Sequence, residues 1–212
     1  MNTDHYELVL DYEDTILRIP EIIKSIETYD ITTVRASVGM YLLSEYISHN
    51  HEEKVIFSGE GSDEIFGGYL YFHKSPNVKA FEMETKRLVN ELQYYDVLRA
   101  DRCTAAFGLE LRVPFLDKEF LSFVLSIPGN YKNYAVLEKQ ILRNAFVNNY
   151  LPNEILYRKK EGFSDGVGGM KKPFYKHIQD HIIGESYSDI EGNKKEGEWY
   201  KEEYYRIYKY KP

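Results

Sequence analysis

A short apolar run that passes directly into a glycine-rich acidic loop is the strongest constraint on how this chain folds. Residues 54–57 read Lys-Val-Ile-Phe, and the polar segment 49–53 precedes them. A run of this length, bounded by a loop and a glycine turn, predicts a buried strand. The loop that follows, residues 58–69, would then lie at the carboxyl end of the strand, where open α/β sheets bind their ligands.

The loop combines two glycines, Gly59 and Gly61, with three closely spaced carboxylates, Glu60, Asp63 and Glu64. The glycines allow a tight turn and expose backbone N–H groups to an anion. Clustered carboxylates are costly unless a hard cation or an amine shares their charge, and oxygen ligands suit Mg²⁺ bound to nucleotide phosphates. A solvated acidic turn is the alternative, and spacing alone does not name a reaction.

The first fifty residues predict one strand followed by helices. Residues 5–10 alternate loosely between polar and apolar, as a strand does. Asp11 and Asp14 then supply capping side chains for a helix, which Pro20 should split into two pieces. A second helix is expected over residues 33–48, where apolar residues recur at helical spacing.

The remainder of the chain is predicted to be mostly helical. Asp117 should cap a helix that contains the apolar run 120–127. Residues 161–169 are rich in glycine and predict a loop, and the charged, aromatic segment 196–211 predicts a surface helix. Glu110 and Arg112, which precede Asp117, are expected to form a structural ion-pair network with it. The two predicted strands are too few for an α/β sheet, so other strands are expected to complete it.

Composition excludes several classes of partner. The formal net charge of −7 argues against nucleic acid, because a phosphate backbone favours Lys and Arg. No apolar run approaches the length of a membrane span, and the first residues lack the pattern of a signal peptide. The single cysteine, Cys103, indicates a reducing compartment and is expected to be a small apolar filler. We therefore expect a cytoplasmic protein.

A basic stretch far from the acidic loop provides the opposite charge. Arg158, Lys159 and Lys160 enter the glycine-rich loop, and together they could neutralise a leaving pyrophosphate. A basic turn without a function is an equally good interpretation of these residues alone.

Several blocks of this sequence resemble the synthetase domain of glutamine-hydrolysing asparagine synthetases, and the resemblance covers nearly the whole chain, in order. They are residues 26–37, 58–69, 67–77, 108–117, 158–168 and 201–208. The resemblance implies an α/β fold over residues 1–212: an incomplete adenine-nucleotide α-hydrolase-like (PP-loop ATPase) domain, mostly helical and lacking the first strands. It also implies that ATP adenylates the side-chain carboxylate of aspartate and that ammonia then displaces AMP, with Mg²⁺ as cofactor.

The resemblance carries over to individual residues. Ser58 and Gly59 match the nucleotide-contacting pair, and Glu60 matches a glutamate tied to formation and amination of the acyl-adenylate. Asp63 matches a Mg²⁺ ligand, and Lys160 matches the lysine that stabilises charge on the pyrophosphate. Further residues match positions near the substrate: Thr32, Thr33, Arg35, Glu64, Asp96 and Arg99.

Two parts of the family pattern do not occur in this sequence. The family enzymes begin with a glutaminase domain that uses an N-terminal cysteine, and their adenylating domain opens with a Ser-Gly-Gly-x-Asp-Ser pyrophosphate loop. No Ser-Gly-Gly is found here. The expectation is that the chain starts downstream of that loop and of the first strands of the sheet. The missing N-terminal part would be supplied by a separate polypeptide or would have been lost through gene truncation.

Three interpretations follow from this partial match. The chain is part of an asparagine synthetase active site, or a catalytically dead remnant or binding module of the same fold, or a related β-lactam-forming synthetase. The intact Glu60, Asp63 and Lys160 favour an active site over a remnant. The match at residues 32–35 and at Glu60 favours the asparagine synthetases over the β-lactam branch.

Overall fold

The computed structural model describes residues 3–132, 137–148, 150–160, 162–163, 172–182, 187, 190 and 192–209. The chain divides into two compact units. The first unit comprises Met1–Lys54, Arg99–Glu110 and Gly162–Pro212, and the second comprises Val55–Leu98 and Leu111–Glu161.

The secondary structure of the described residues is mainly helical. In chain order the elements are α1 (Tyr12–Leu17), α2 (Ile19–Ile26), α3 (Ile31–Asn50), β1 (Val55–Phe57), α4 (Ser62–Phe66), α5 (Val78–Glu91), α6 (Asp96–Ala105), β2 (Glu110–Arg112), α7 (Lys118–Ser126), α8 (Gln140–Ala145), α9 (Asn153–Leu156), α10 (Phe174–His181) and α11 (Gly192–Tyr208). Short 3₁₀ turns lie at Leu70–Lys74, Leu92–Tyr94, Pro114–Leu116 and Gly129–Lys132.

The start of the first unit follows the predicted capping pattern. The backbone N–H of Asp14 donates to Asp11 Oδ1 at 3.0 Å, which caps α1. Pro20 lies in the first turn of α2, where its missing N–H costs nothing, so the predicted split into two helices is confirmed. Residue Asp30 caps α3 by accepting from the N–H of Thr33 at 2.8 Å, and the predicted second helix is also confirmed.

The core of the first unit lies between α2, α3, α10 and α11. Its buried members include the isoleucines of α2, which occupy one face of that helix: Ile19, Ile22, Ile23 and Ile26. Cys103 of α6 belongs to the same core, and burial raises the pKa of its thiol to about 11. A thiol that is neutral at physiological pH is a poor nucleophile, which agrees with the expected filler role.

The predicted strand over residues 5–10 is wrong, because this segment is neither helix nor strand. Alternation makes a segment compatible with a sheet but does not supply a partner strand. In the described part of the chain the only sheet is the pair β1–β2. That pairing is parallel: the N–H of Glu110 donates to the carbonyl of Lys54 at 2.7 Å, and the N–H of Ser58 donates to the carbonyl of Arg112 at 2.9 Å.

Strand β1 confirms the predicted strand but not its predicted burial. The side chains of Val55 and Phe57 are 45% and 77% exposed. Burial on both faces requires neighbouring strands and covering helices, and β2 is the one neighbour of β1 within the described residues. The apolar composition of β1 suits a buried strand. The described residues around β1, however, leave the side chains of Val55 and Phe57 exposed to solvent.

In the second unit, short helices pack around a small apolar cluster. Ile65 and Phe66 of α4 pack with Val124 of α7. Asp117 caps α7 as predicted, because its Oδ1 accepts from the N–H groups of Glu119 and Phe120 at 3.1 and 3.0 Å. Helix α5 begins in the same way, with Asn77 as its cap.

The C-terminal helix α11 is confirmed as a helix but lies less on the surface than expected. Glu196 and Tyr200, one turn apart, are both 0% exposed. They face α2, α3 and α10, against which α11 packs. Because charged residues surround Glu196 and Tyr200 in the sequence, the sequence pattern did not indicate that this stripe is buried. Across the described residues, we find no helix with the length and apolar character that a membrane crossing requires.

We expect Ile23→Ala to lower the free energy of unfolding by about 2–5 kcal/mol, because it leaves a cavity among fully buried side chains. The matched control is Leu17→Ala, since Leu17 is 66% exposed and its loss should change the stability by less than about 0.5 kcal/mol. Urea unfolding of the two variants measures both values. Equal destabilisation by the two substitutions would contradict the described core.

Candidate active site

Helix α4 follows β1 and carries Asp63 and Glu64. Two glycines in the left-handed region bound this short helix, Gly61 with φ of 89° and Gly67 with φ of 66°. A Cβ on Gly61 would lie 2.3 Å from Leu116 Cδ2, so no larger residue fits there. Gly61, one of the two glycines predicted to form a tight turn, therefore fixes where α4 begins, and Gly67 fixes where it ends.

A buried lysine supports the far end of α4. Lys132 is 2% exposed, and its Nζ donates to the carbonyl of Ile65 at 3.1 Å. The carbonyls of the last helical turn lack partners within the helix, and a cation is a favourable partner for them. Burial lowers the pKa of Lys132 to about 8.

Two lysines hold the carboxylate of Asp63. Lys139 Nζ lies 3.0 Å from Asp63 Oδ2, and Lys160 Nζ lies 3.1 Å from Asp63 Oδ1. Lys139 Nζ also donates to the hydroxyl of Ser62 at 3.0 Å. Among the described residues, Asp63 Oδ1 accepts no hydrogen bond of good geometry although it is shielded from solvent, so its attraction to Lys160 is chiefly coulombic. The structure thus joins two of the predicted site residues, Asp63 and Lys160.

Gly68 leaves the space that the Asp63 side chain occupies. A Cβ on Gly68 would lie 1.9 Å from Asp63 Oδ1 and 2.7 Å from Lys139 Cε. The N–H of Gly68 also donates to the carbonyl of Asp63 at 2.7 Å. The residue after the helix end must therefore be glycine for the ion cluster to form.

Glu64, the second carboxylate of α4, is enclosed. It is 3% exposed and accepts a hydrogen bond from the hydroxyl of Tyr69. Burial raises the pKa of the Glu64 carboxyl, and the charge of Asp96 raises it further. Tyr69 also lies beside the Asp63 cluster, because Lys160 Nζ is 5.7 Å from its ring centroid.

Glu64 and Asp96, two of the predicted substrate-binding residues, line one cavity of about 270 Å³. The residues around this cavity are Glu64, Arg87, Leu88, Glu91, Leu92, Tyr95 and Asp96. Carboxylates predominate among its charged groups, so the cavity is suited to an amine or another cation.

Ser58, Gly59 and Glu60 lie between the end of β1 and the start of α4. Ser58 continues the ladder with β2, and the carbonyl of Gly59 accepts from the N–H of Ser62 at 3.3 Å. Among the described residues other than its two chain neighbours, none has an atom within 4 Å of a Cβ built on Gly59, so the turn is open at that residue. Glu60 is partly exposed in this turn.

The remaining predicted site residues belong to the first unit. Thr32 and Thr33 lie in the first turn of α3, and the hydroxyl of Thr33 donates to Asp30 Oδ1 at 2.7 Å. Arg99 lies on α6 and is 5% exposed.

Arg35 of α3 takes part in a buried network with α11. Its Nε donates to Glu196 Oε1 at 2.7 Å, its Nη2 donates to Glu196 Oε2, and the same Nη2 donates to Asn193 at 2.9 Å. Glu196 also accepts from Tyr200 at 2.7 Å and from Gln179 at 3.2 Å. Burial acts to lower the pKa of Arg35, and the hydrogen bonds with Glu196 outweigh it, so the pKa is raised.

Sequence reasoning did not single out Lys139, Gly68 or Lys132. Lys139 and Ser62 are separated by 77 positions, so no local spacing relates them. The predicted loop 161–169, apart from residues 162 and 163, lies outside the described residues, and so do the later glycines of the basic stretch, Gly166 and Gly168.

Comparison with known proteins places this chain in a family. The family model described as asparagine synthase matches residues 1–91 and 76–209. The chain belongs to the asparagine synthase family.

Curated relatives agree with this membership. A mouse protein named asparagine synthetase (glutamine-hydrolysing) is 53% identical over 184 residues, which cover 86% of this chain and 33% of the relative. Human and chicken proteins of the same name are each 52% identical over the same shares. The chain therefore spans about a third of the length of the curated relatives it matches.

In the residues that the structure describes, no group of three or more His, Cys, Asp or Glu side chains could hold a metal. Mg²⁺, however, commonly uses one or two carboxylates and takes its other ligands from water and phosphates. Asp63, one of whose oxygens is shielded and accepts no hydrogen bond within the described residues, is a carboxylate of the kind that this mode of binding uses.

We expect Gly68→Ala to lower the free energy of unfolding by about 1–3 kcal/mol, because its methyl group overlaps the Asp63 carboxylate. Gly59→Ala is the matched control, since nothing lies within 4 Å of the added Cβ. Chemical denaturation of both variants provides the comparison. If Gly59→Ala were the more destabilising change, the described packing around Asp63 would be wrong.

We expect Arg35→Met to destabilise the chain by about 3–5 kcal/mol, because it leaves the carboxylate of Glu196 buried without its cation. Replacing both residues by methionine should recover part of that loss, since no unpaired charge then remains. A double-mutant cycle in urea measures the coupling. Additive effects of the two substitutions would refute the pairing.

Proposed function

We propose that this chain forms the C-terminal part of an asparagine synthetase site, which activates the side-chain carboxylate of aspartate with ATP and then amidates it with ammonia. The intermediate would be β-aspartyl-AMP. The observation that carries the proposal is the Asp63 carboxylate between Lys139 and Lys160, after β1, in a member of the asparagine synthase family.

The proposed fold is a PP-loop ATPase-like α/β domain, of which residues 1–212 form the later part. The exposed side chains of Val55 and Phe57 support this, because a parallel strand at the centre of such a domain is covered on both faces. We propose that the first strands, the pyrophosphate loop and the glutaminase are provided by a preceding segment or a separate polypeptide. The share of the relatives that the chain covers is consistent with this.

The roles of the charged residues follow from their chemistry. Lys160 would contact the departing pyrophosphate and stabilise its charge. Asp63 would bind Mg²⁺, which when bound would shield the charges of the phosphates. Ser58 and Gly59 would contact the nucleotide, because the open turn at Gly59 allows close approach to the backbone.

Substrate binding is proposed for the residues that match the family's substrate region. Glu64 and Asp96 would receive the ammonium group of aspartate, since carboxylates predominate around their cavity. Thr32, Thr33 and Arg99 are proposed to contribute on the basis of the family resemblance. Arg35 would act by keeping the first turns of α3 fixed, because its side chain is committed to Glu196.

Glu60 is proposed as the residue that holds ammonium and accepts its proton. A carboxylate attracts the cation, and its basicity allows it to take the proton as nitrogen attacks the acyl-adenylate. Its partial exposure at the turn gives ammonia access to it.

Two other interpretations are less well supported. A dead remnant would not be expected to keep Glu60, Asp63 and Lys160, and the Asp63 cluster gives two of these residues a common geometry. The relatives at 52–53% identity are named as asparagine synthetases, which favours aspartate over a β-lactam precursor. We also propose a cytoplasmic location, in keeping with the single, buried cysteine.

The proposal is tested in a chimera in which this chain replaces the matching third of the mouse relative. With aspartate, ATP, Mg²⁺ and ammonium, the chimera should form asparagine. Glu60→Gln should reduce turnover by about 10²–10⁴-fold, because the amide keeps the size of the side chain but loses its charge and basicity. Chromatographic quantification of asparagine measures the rate.

The control for this experiment is Glu52→Gln, a change at an exposed residue of the loop before β1, which should leave turnover unchanged. Using ammonium instead of glutamine separates the synthetase step from glutamine hydrolysis. Near-normal turnover of the Glu60→Gln chimera would remove the role assigned to Glu60. A chimera that is folded but forms no adenylate would favour the remnant.

A further inference from the structure

Arg143 of α8 connects the chain just before its own helix to the chain just before Lys160. Its Nε donates to the carbonyl of Glu138 at 2.7 Å, its Nη2 donates to the carbonyl of Arg158 at 3.0 Å, and its Nη1 donates to the carbonyl of Leu156. All three nitrogens of the guanidinium are therefore committed to backbone carbonyls. A side chain used in this way holds the chain and does not bind a ligand.

The segment that Arg143 contacts is short and irregular. Helix α9 has four residues, which is too few for a stable helix in water. Carbonyls in a last helical turn lack partners within the helix, and Arg143 supplies a partner for that of Leu156. Residues 158–160, which follow, are neither helix nor strand. The hydrogen bond to the Arg158 carbonyl thus fixes the backbone two residues before Lys160.

The other end of this connection is anchored beside the candidate site. Glu138, whose carbonyl accepts from Arg143, is 7% exposed, and its Oε1 lies 2.7 Å from His73 Nε2. His73 belongs to the 3₁₀ turn Leu70–Lys74, which follows α4. Through Glu138, Arg143 therefore ties the basic stretch to the turn after α4.

The place of the Lys160 ammonium depends on where the backbone of Lys160 is held. A lysine side chain has a flexible four-carbon stem, so a contact at its charged end does not fix the backbone. Arginine is suited to fixing it, because the planar guanidinium donates to several carbonyls at once in a rigid geometry. Lys160 Nζ lies 5.7 Å from the centroid of the Tyr69 ring, so its position can be followed by the effect of that ring.

We infer that Arg143 is a positioning residue, which holds the backbone before Lys160 so that the Lys160 ammonium meets the departing pyrophosphate. Arg143 acts through Lys160 and does not itself touch the substrate. The role of Lys160 rests on the proposed function, whereas the placement of Lys160 by Arg143 does not.

The first test measures the position of Lys160 in the full chain, without any substrate. The chain is labelled with ¹³C-lysine, and the NMR signal of the Lys160 ε-methylene group is assigned in each background from its loss in Lys160→Arg. An aromatic ring shifts the signals of groups close to it. In Arg143→Lys the Lys160 signal should therefore move toward the values of exposed lysines such as Lys79, because lysine keeps the charge but cannot donate to three carbonyls in a fixed geometry.

The second test uses the chimera described above, with ammonium, and separates positioning from a general structural role. Arg143→Lys should lower kcat by about 10²-fold, since a small displacement of a group that acts on the reaction can cost this much. The KM for aspartate should not change, because Lys160 acts on the leaving group. In the Lys160→Met background, Arg143→Lys should have little further effect, whereas an arginine with only a structural role would lower turnover additively.

Arg206→Lys is the matched control for both tests. Arg206 of α11 is 68% exposed at its side chain, and its replacement by lysine should change neither the Lys160 signal nor kcat. If thermal unfolding shows that Arg143→Lys is not folded, Arg143→Gln takes its place.

The inference is overturned if the Lys160 signal is the same in Arg143→Lys as in the wild type, or if the effects of Arg143→Lys and Lys160→Met on kcat are additive. A Lys160 signal that depends on Arg143, combined with a chimera that forms no asparagine, would instead contradict the proposed function and leave the positioning role standing.

Discussion

The second unit depends on the placement of one carboxylate, that of Asp63, between two lysines. The helix that carries it has five residues, too few to hold its own shape in water, so its ends must be fixed by other means. Gly61 and Gly67 set its ends, Lys132 binds its last turn, and Gly68 makes room for the carboxylate. Glycines at positions 61, 67 and 68 thus allow the Asp63 carboxylate to take its place in the structure.

The two charged networks of the protein, around Glu196 and around Asp63, differ in burial and in the number of cations that contact each carboxylate. In the first unit, Glu196 is fully buried and is matched by one guanidinium, from Arg35, and by neutral donors from Gln179 and Tyr200. The charges of Arg35 and Glu196 balance, and their hydrogen bonds join α3 to α11. The Asp63 cluster is partly exposed, and two ammonium groups contact its one carboxylate.

Local features of this fold were predictable from the sequence, and features that depend on distant partners were not. Asp11 and Asp117 cap their helices as expected, and Pro20 separates α1 from α2, because capping and proline effects act within a few residues. The strand predicted over residues 5–10 does not form, because alternation of polar and apolar residues does not by itself provide a partner strand. The same difference between local features and distant partners holds for the candidate site. The glycine turn and its carboxylates were visible as a motif, whereas Lys139 was not, because 77 positions separate it from Ser62.

The exposed strand β1 connects the fold to the proposed chemistry. Open α/β sheets bind ligands at the carboxyl ends of their strands, and the Asp63 cluster follows the carboxyl end of β1. In this chain Val55 and Phe57 of β1 remain exposed. We propose that the strands expected to precede this chain would cover those side chains and would also bring the family's pyrophosphate loop to the same end of the sheet. Burial of β1 and completion of the phosphate site would then be one event, because the same segment supplies both. On this view the free energy gained by removing two apolar side chains from water helps to assemble a polar site that could not hold its shape through its own charges.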